Sequence, residues 1–331
     1  MLLIPDCPRV PGMQRSRVRL RRFALRGRLV SIAGSLFGSL LLCATVAHAD
    51  GILGADEGKL LMTGAFSDIS GSAGGGLVPM ALITSYGSQN SWGANAHLTD
   101  VRLHDFNLLS YGLAAAVFDR FELSYAKQQL DVVGTALDGI SIRQDLFGAK
   151  LKLLGDAVYN QDLWLPQLSV GTQYMRNEGI DDADHVGHAG LVSPTQLGAR
   201  SDHGWDFYAA ATKVFLGQSL LVNVVGRATR ANQYGLLGFG GDLRNHYSFK
   251  PEASVAYLLL QQLAVGGDFR ANPHNLSVDN QRSSFDIFVA WTPTKNLSLV
   301  GAYVNLGSIL SPVTQVTRTQ DGPYLSLQVG L

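Results

Sequence analysis

Only two cysteines occur in the 331 residues, Cys7 and Cys43, and both precede residue 50. The rest of the chain has no thiol, which excludes disulfides and any cysteine-based metal site there. From Asp50 to Leu331 there is no linker, no block of like charge and no long amphipathic helix. The only low-complexity tract in that span is Gly71-Ser72-Ala73-Gly74-Gly75-Gly76. Two catalytic signatures are missing as well, the Gly-x-Ser-x-Gly nucleophile elbow and the His-Glu-x-x-His zinc motif. A large exported chain without disulfides must hold together by other means, and a closed hydrogen-bonded sheet is one.

Residues 1–49 read as a cleaved secretory signal peptide. Arg15, Arg17, Arg19, Arg21, Arg22, Arg26 and Arg28 form a basic leader, followed by an apolar run from Leu29 to Val46 and the small-x-small exit Ala47-His48-Ala49. A retained membrane helix fits less well, because Gly34, Ser35, Gly38 and Ser39 interrupt the run. The pair Arg21-Arg22 resembles a twin-arginine signal only by chance in so basic a leader, and Leu42 before Cys43 argues against lipidation. Met13 is a second candidate start. Cleavage removes eight of 26 basic residues and one of 26 acidic ones, leaving 18 against 25 and a net charge near −7. An acidic balance disfavours a nucleic-acid partner.

What is present beyond the leader is alternation. Extended runs of polar and apolar residues recur, each ended by a turn signal. Trp205, Phe207, Ala209 and Ala211 fall on one side of their run, with Asp206, Tyr208, Ala210 and Thr212 on the other. The last residues behave the same way: Leu325, Leu327, Val329 and Leu331 oppose Ser326, Gln328 and Gly330. In water such a terminal strand is an exposed edge and an aggregation hazard, whereas as the closing strand of a barrel in lipid it is satisfied. Spacers alternate too. Leu216-Gly217-Gln218, Gln261-Gln262 and Pro293-Thr294-Lys295 are tight turns, and between them lie polar stretches at 176–204, 231–246, 272–282 and 307–322. Short turns on one rim and long loops on the other mark a transmembrane barrel, with a soluble sandwich as the weaker alternative. In the first half, strands are expected at 92–101, 106–118, 120–130, 140–154 and 164–175, with a bulge near Asp145–Phe147. With seven C-terminal strands the expected fold is an all-β antiparallel transmembrane β-barrel of about twelve strands over 92–331, both ends on the short-turn, periplasmic rim. Segment 50–91 is Gly-rich. Its extended part, Leu77–Tyr86, would break the even strand count as a thirteenth strand, and otherwise lies in the lumen or against the rim. Tyr174, Trp205, Phe249, Tyr257, Phe285, Trp291 and Tyr303 are placed to form interfacial girdles.

By strand parity Arg227, Lys250, Glu252, Asp268, Arg270 and Asp286 face the lumen, and Glu122, Lys150 and Lys152 are further candidates. Two readings stand: a polar conduit with a local field, or a salt-bridged filling of a small barrel. Asp181, Asp182, Asp184, His185, His188 and His203 form an acidic, His-bearing loop whose spacing matches no closed metal motif, so a solvated surface loop is the reading preferred. His97 and His104 near Ser110, Asp100 and Asp105 make too loose a set to assign catalysis. Gly238-Phe239-Gly240-Gly241 opens no helix, so no phosphate cradle is expected. No catalytic, cofactor or metal residue is assigned.

Several stretches carry a family resemblance: Gly74-Gly75-Gly76-Leu77-Val78-Pro79 with Ala81-Leu82-Ile83, Phe121–Ala126, Leu153–Tyr159, Arg227–Gly238 and Pro251–Tyr257. The chain resembles a proteobacterial family catalogued as domain of unknown function three-zero-three-four over nearly all of its mature length. The resemblance implies an outer-membrane β-barrel and brings no ligand or catalytic residues. Leu331 departs from the terminal aromatic usual in such barrels. The expected location is the outer membrane of a Gram-negative bacterium. Outer-membrane lipid and the barrel-insertion machinery, acting through the C-terminal strand, are the expected partners. The expected role is passage of an unidentified small solute through a channel. The alternatives are a structural or surface-interaction barrel acting through its loops and, behind it, an outer-membrane hydrolase.

Overall fold

A computed structural model describes residues 59, 61–64, 66–87, 89–134, 139–182, 193–311 and 318–331. The leader with Cys7 and Cys43, and the loop residues Asp184, His185 and His188, lie outside the described residues.

Twelve strands follow one another: β1 Trp92–Arg102, β2 Phe106–Val117, β3 Phe121–Val132, β4 Ile140–Leu154, β5 Gln167–Asp182, β6 His203–Phe215, β7 Leu220–Thr229, β8 Ser248–Leu260, β9 Leu263–Arg270, β10 Ser284–Thr294, β11 Leu297–Asn305 and β12 Asp321–Gly330. Each pairs antiparallel with its neighbours in sequence, and β1 closes on β12 from Asn95↔Gly330 to Val101↔Tyr324. Closure pairs both lateral edges of the sheet, the requirement for strands in hydrocarbon. Burial alternates with period two along the strands, as in β3 and β10. The outward set is greasy and well exposed: Leu123 68 %, Phe249 73 % and Ile287 72 %. The inward set is buried and largely polar, including Asn95, Gln128, Gln173, Asn223 and Gln328. An apolar belt around a polar interior is the reverse of a soluble protein and is the pattern of a transmembrane β-barrel.

Aromatic rings line part of the outer wall. Tyr125, Phe147, Tyr174, Trp205, Phe207 and Tyr247 form a continuous ladder with centroid spacings of 5.0–6.5 Å. Cross-strand aromatic contacts of this kind add to burial.

The structure departs from the sequence reading in three places. First, β4 keeps its parity: Gln144, Leu146, Gly148 and Lys150 all point inward, so there is no slip at Asp145–Phe147. Leu146 breaks the polar pattern because it packs inside against Ala126, Met175 and Phe239. The irregularity sits in the adjoining ladder, where Arg143 pairs with Gly179 and Gln144 with Asn177, leaving Glu178 as the extra residue. Second, β5 runs to Asp182 instead of 175, since its polar end carries exposed Arg176 and Glu178 as an outward face above the apolar belt. Third, the sorting of connections by length has two exceptions. Residues 103–105 are a short turn on the long-loop rim, and 155–166 are a long connection on the short-turn rim. The latter is held in shape locally, with Asp156 Oδ1 accepting from Val158 N (2.8 Å) and Tyr159 N (2.7 Å), and Lys213 Nζ donating to Asn160 O (2.6 Å).

Candidate functional site

Strand parity delivers side chains to the lumen, and a length of non-strand chain meets them there. Residues 66–87 form no ladder with the barrel. Instead their backbone groups bond to side chains of the wall. Ser67 N donates to Gln328 Oε1 (2.7 Å), and Ser110 Oγ and Gln128 Nε2 donate to Ile69 O (2.7 and 2.6 Å). Ala81 N donates to Thr212 Oγ1 (2.8 Å), Ser169 Oγ donates back to Ala81 O (2.6 Å), and Asn223 Nδ2 donates to Pro79 O (3.1 Å). Each bond satisfies a backbone group that has no partner in a regular element. At the short-turn rim the insert is tied by Lys59, whose Nζ reaches Asp119 Oδ1 (2.6 Å) and the carbonyls of Ile83 (3.0 Å) and Ser85 (3.2 Å).

Glu122 is the largest anchor. Its Oε1 accepts from Ser72 Oγ (2.9 Å) and Ala73 N (3.0 Å), and its Oε2 from Thr84 N (2.8 Å). Lys150 Nζ lies 3.2 Å from the same carboxylate and donates to Ala73 O (2.9 Å) and Leu82 O (3.0 Å). Lys152, placed with them by parity, pairs with Asp119 at the rim instead (2.6 Å).

Across the lumen the six candidates divide. Arg227, Glu252 and Arg270 form one buried cluster. Arg227 Nε lies 2.5 Å and Arg270 Nε 3.3 Å from Glu252 Oε1, and Arg227 Nη1 lies 3.6 Å from Asp206 Oδ2. The guanidiniums stack over tyrosines, Arg227 over Tyr208 (5.2 Å) and Arg270 over Tyr234 (4.3 Å). Asp268 and Asp286 form a second group as direct cross-strand partners. Asp268 Oδ2 accepts from Leu77 N (2.9 Å), and Asp286 Oδ1 from Asp268 N (3.1 Å). Lys250 shares the inner face but is only half-buried, beside Arg227 in register, and stays outside both groups. Here the Gly-rich tract meets the wall: a Cβ on Gly75 would sit 2.6 Å from Asp268 Oδ2, and one on Gly76 2.7 Å from Asp286 Oδ2. Only glycine lets the backbone come this close.

Both ends of the lumen are apolar. Toward the short turns, Leu221, Ala264, Phe288, Ala290 and Val300 face Met62 and Phe66 around a cavity of about 60 Å³. Toward the long loops, Leu236, Leu237 and Phe239 of the β7–β8 loop are fully buried over the mouth. Gln233 and Tyr234 hold positive φ there (44° and 60°), a backbone state that costs roughly 1–3 kcal/mol per residue and persists only when over-determined. Gln233 Nε2 supplies part of that constraint, donating to Asp279 Oδ1 (3.1 Å) and Ser308 O (2.7 Å). Burial pushes the Asp279 carboxyl up to about 6. At the neighbouring turn the Arg318 guanidinium holds Asp105 below the usual carboxylate range, and Gln320 Nε2 adds a hydrogen bond (2.8 Å).

The looser residue sets fare differently. His97 Nε2 does lie 3.4 Å from Ser110 Oγ, but that hydroxyl donates to Ile69 O and His97 Nδ1 meets no carboxylate. Asp100 pairs with Arg102 on the outer face (2.9 Å) and Asp105 sits in the β1–β2 turn, so no triad assembles. His203 contacts Asp202 (2.6 Å), and among the described residues no three His, Cys, Asp or Glu side chains are grouped to hold a metal. Asp206, Tyr208 and Tyr234 join the charged cluster although the sequence did not single them out. Parity in β6 was the available signal for the first two, whereas Tyr234 enters through a loop and carries none.

The chain belongs to the family described as protein of unknown function (DUF3034), which matches residues 63–328 and is the family the sequence resembles. No curated protein matches it. Among solved structures it is similar to a KdgM porin at 10 % identity and a TM-score of 0.44, covering 71 % of this chain and 98 % of that one. A NanC porin gives 7 %, 0.42, 72 % and 97 % in the same order. The COG4313 outer membrane channel from Pseudomonas putida F1 gives 12 %, 0.42, 78 % and 99 %.

Proposed function

We propose that this member of the family is a gated outer-membrane channel for small solutes, its N-terminal segment serving as a displaceable insert. One observation carries the reading. Insert residues such as Ile69, Leu77 and Met80 do pack on apolar wall side chains, but the wall meets the backbone of residues 66–87 through polar side chains and not through a shared ladder. A barrel that only needs filling is most stable with apolar side chains inside. Here Glu122, Gln128, Asn223 and Gln328 would be hydrated as soon as the insert withdrew, leaving a wet conduit with little net loss of hydrogen bonding. The apolar belt supports a membrane location, and the basic and apolar leader read from the sequence supports export beyond the inner membrane. On this reading the short turns face the periplasm and the capping loops face outside.

The absence of cysteine after residue 49 gives a clean test. A Cβ on Gly71 of the insert would lie 3.2 Å from Ala126 Cβ of β3, near the roughly 3.5–4.5 Å of a disulfide. The double variant Gly71→Cys/Ala126→Cys is expected to show stepwise conductance in planar bilayers when reduced and to fall silent when oxidised. Wild-type protein should conduct under both conditions. A tight seal in the wild type and in both redox states of the clamp, with no solute uptake into liposomes, overturns the channel.

A further inference from the structure

Charge inside the lumen does not balance. Among the described residues six buried carboxylates face it, Asp68, Glu122, Asp206, Glu252, Asp268 and Asp286, against three buried cations, Lys150, Arg227 and Arg270. The cations are already committed. Lys150 serves Glu122, and Arg227 and Arg270 serve Glu252, with Asp206 beside Arg227. Arg270 follows Asp268 by two positions on β9, yet its guanidinium turns to Glu252 and the Tyr234 ring.

Three carboxylates are left without a cation, and of these Asp68 belongs to the insert itself, where its Oδ1 accepts from Ser70 N and Ser72 N, so on the wall Asp268 and Asp286 stand apart as an acid pair. They face each other across β9 and β10, and neither enters an ion pair among the described residues. Asp268 Oδ1 and Asp286 Oδ2 are buried and accept no hydrogen bond, although the two residues are only 3 % and 2 % exposed. Buried carboxylate oxygens ordinarily have a donor or a counter-charge, because desolvating them bare is very costly. Two bare carboxylate oxygens on directly paired residues of a conduit wall are the complement of a cation that has shed part of its water. The insert covers this spot with its barest backbone, Gly75 and Gly76, and Leu77 N donates to Asp268 Oδ2. Withdrawal of the insert exposes the pair to whatever passes.

Resting on the channel reading above, we infer that Asp268 and Asp286 form a cation-selecting site and that the solutes passed are small cations or molecules with a cationic group. Anions are turned back at the same point. A carboxylate about 5 Å from an ion's path in water shifts its local concentration roughly fourfold, so the pair favours cations at least tenfold.

The test is the reversal potential of the mature protein in a planar bilayer under a KCl gradient at pH 7. Wild type is expected to give a K⁺ over Cl⁻ permeability ratio of roughly ten or more. Asp268→Asn/Asp286→Asn should bring it near one with unitary conductance retained, and each single substitution should fall between. Glu178→Gln, an outward carboxylate paired with Lys127, should leave the ratio unchanged. Conductance that is non-selective or anion-selective in the wild type overturns the inference while leaving the channel standing. So does cation selectivity untouched by the double substitution. Silence in every variant, with heat-modifiable gel mobility showing folded barrels, overturns the channel and the cation site with it.

Discussion

Glu122→Gln should open the lumen. Three donors of the insert, Ser72 Oγ, Ala73 N and Thr84 N, converge on this one carboxylate, and Lys150 completes its shell. Glutamine keeps the shape, removes the charge, and turns an N–H₂ toward at least one of those donors. Hydrogen bonds to a charged acceptor contribute about 1.5–3 kcal/mol each, against about 1 for neutral ones. Losing the charge at two and breaking a third costs the seated insert about 3 kcal/mol. At 1.4 kcal/mol per tenfold, the equilibrium between seated and withdrawn insert moves roughly a hundredfold. The assay is open probability in planar bilayers, read beside protease cleavage within 66–87, which withdrawal exposes. Both should rise together. Both substitutions leave the Lys150 ammonium, 1 % exposed, without its anion, but truncation to alanine is the poorer probe because it also removes the acceptor oxygen that glutamine keeps for Lys150 and the insert. If Glu122→Gln folds normally while open probability and cleavage stay at wild-type values, the carboxylate is not what seats the insert, and the reasoning from converging donors is wrong.

Two more outcomes follow from the same geometry. Asp279 titrates at about 6 in the folded cap, above its unfolded value of about 3.9, so the folded cap binds more protons over that interval. Cap stability therefore falls as pH rises from about 4 to 6, by roughly 2–3 kcal/mol, and stays lower above. Hydrogen-exchange protection of 231–241, taken relative to the unstructured rate at each pH, should fall over that range in wild type and stay constant in Asp279→Asn. On the outer wall, Leu123→Arg replaces a side chain 68 % exposed on the belt with a charge and should cost about 2–4 kcal/mol at the bilayer midplane. Reversible folding into liposomes under urea measures it, and a neutral result would remove Leu123 from the hydrocarbon.

Much of the barrel was readable residue by residue. Trp205 and Phe207 outward with Asp206 and Tyr208 inward follow from a period of two alone, because one register slip would put the whole charged set in lipid. The same logic carried Glu252, Asp268 and Asp286 to the inner face. It misread β4, where apolar Leu146 points inward: a period-two reading sorts by polarity and cannot know that a lumen has its own apolar layers. It was silent on the cap, since Leu236, Leu237 and Phe239 sit in an irregular loop with no period at all.

By itself the sequence determined which face of each strand meets hydrocarbon, since local alternation is a property of consecutive residues. Only the tertiary structure decided where the Gly-rich segment goes and which charges end up unmatched. Leu77 finds Asp268 across 191 positions, and Ser67 finds Gln328 across 261. Contacts at that separation depend on closure of the sheet. Until β1 and β12 meet, no lumen exists in which a glycine backbone and two carboxylates can share the same few ångströms.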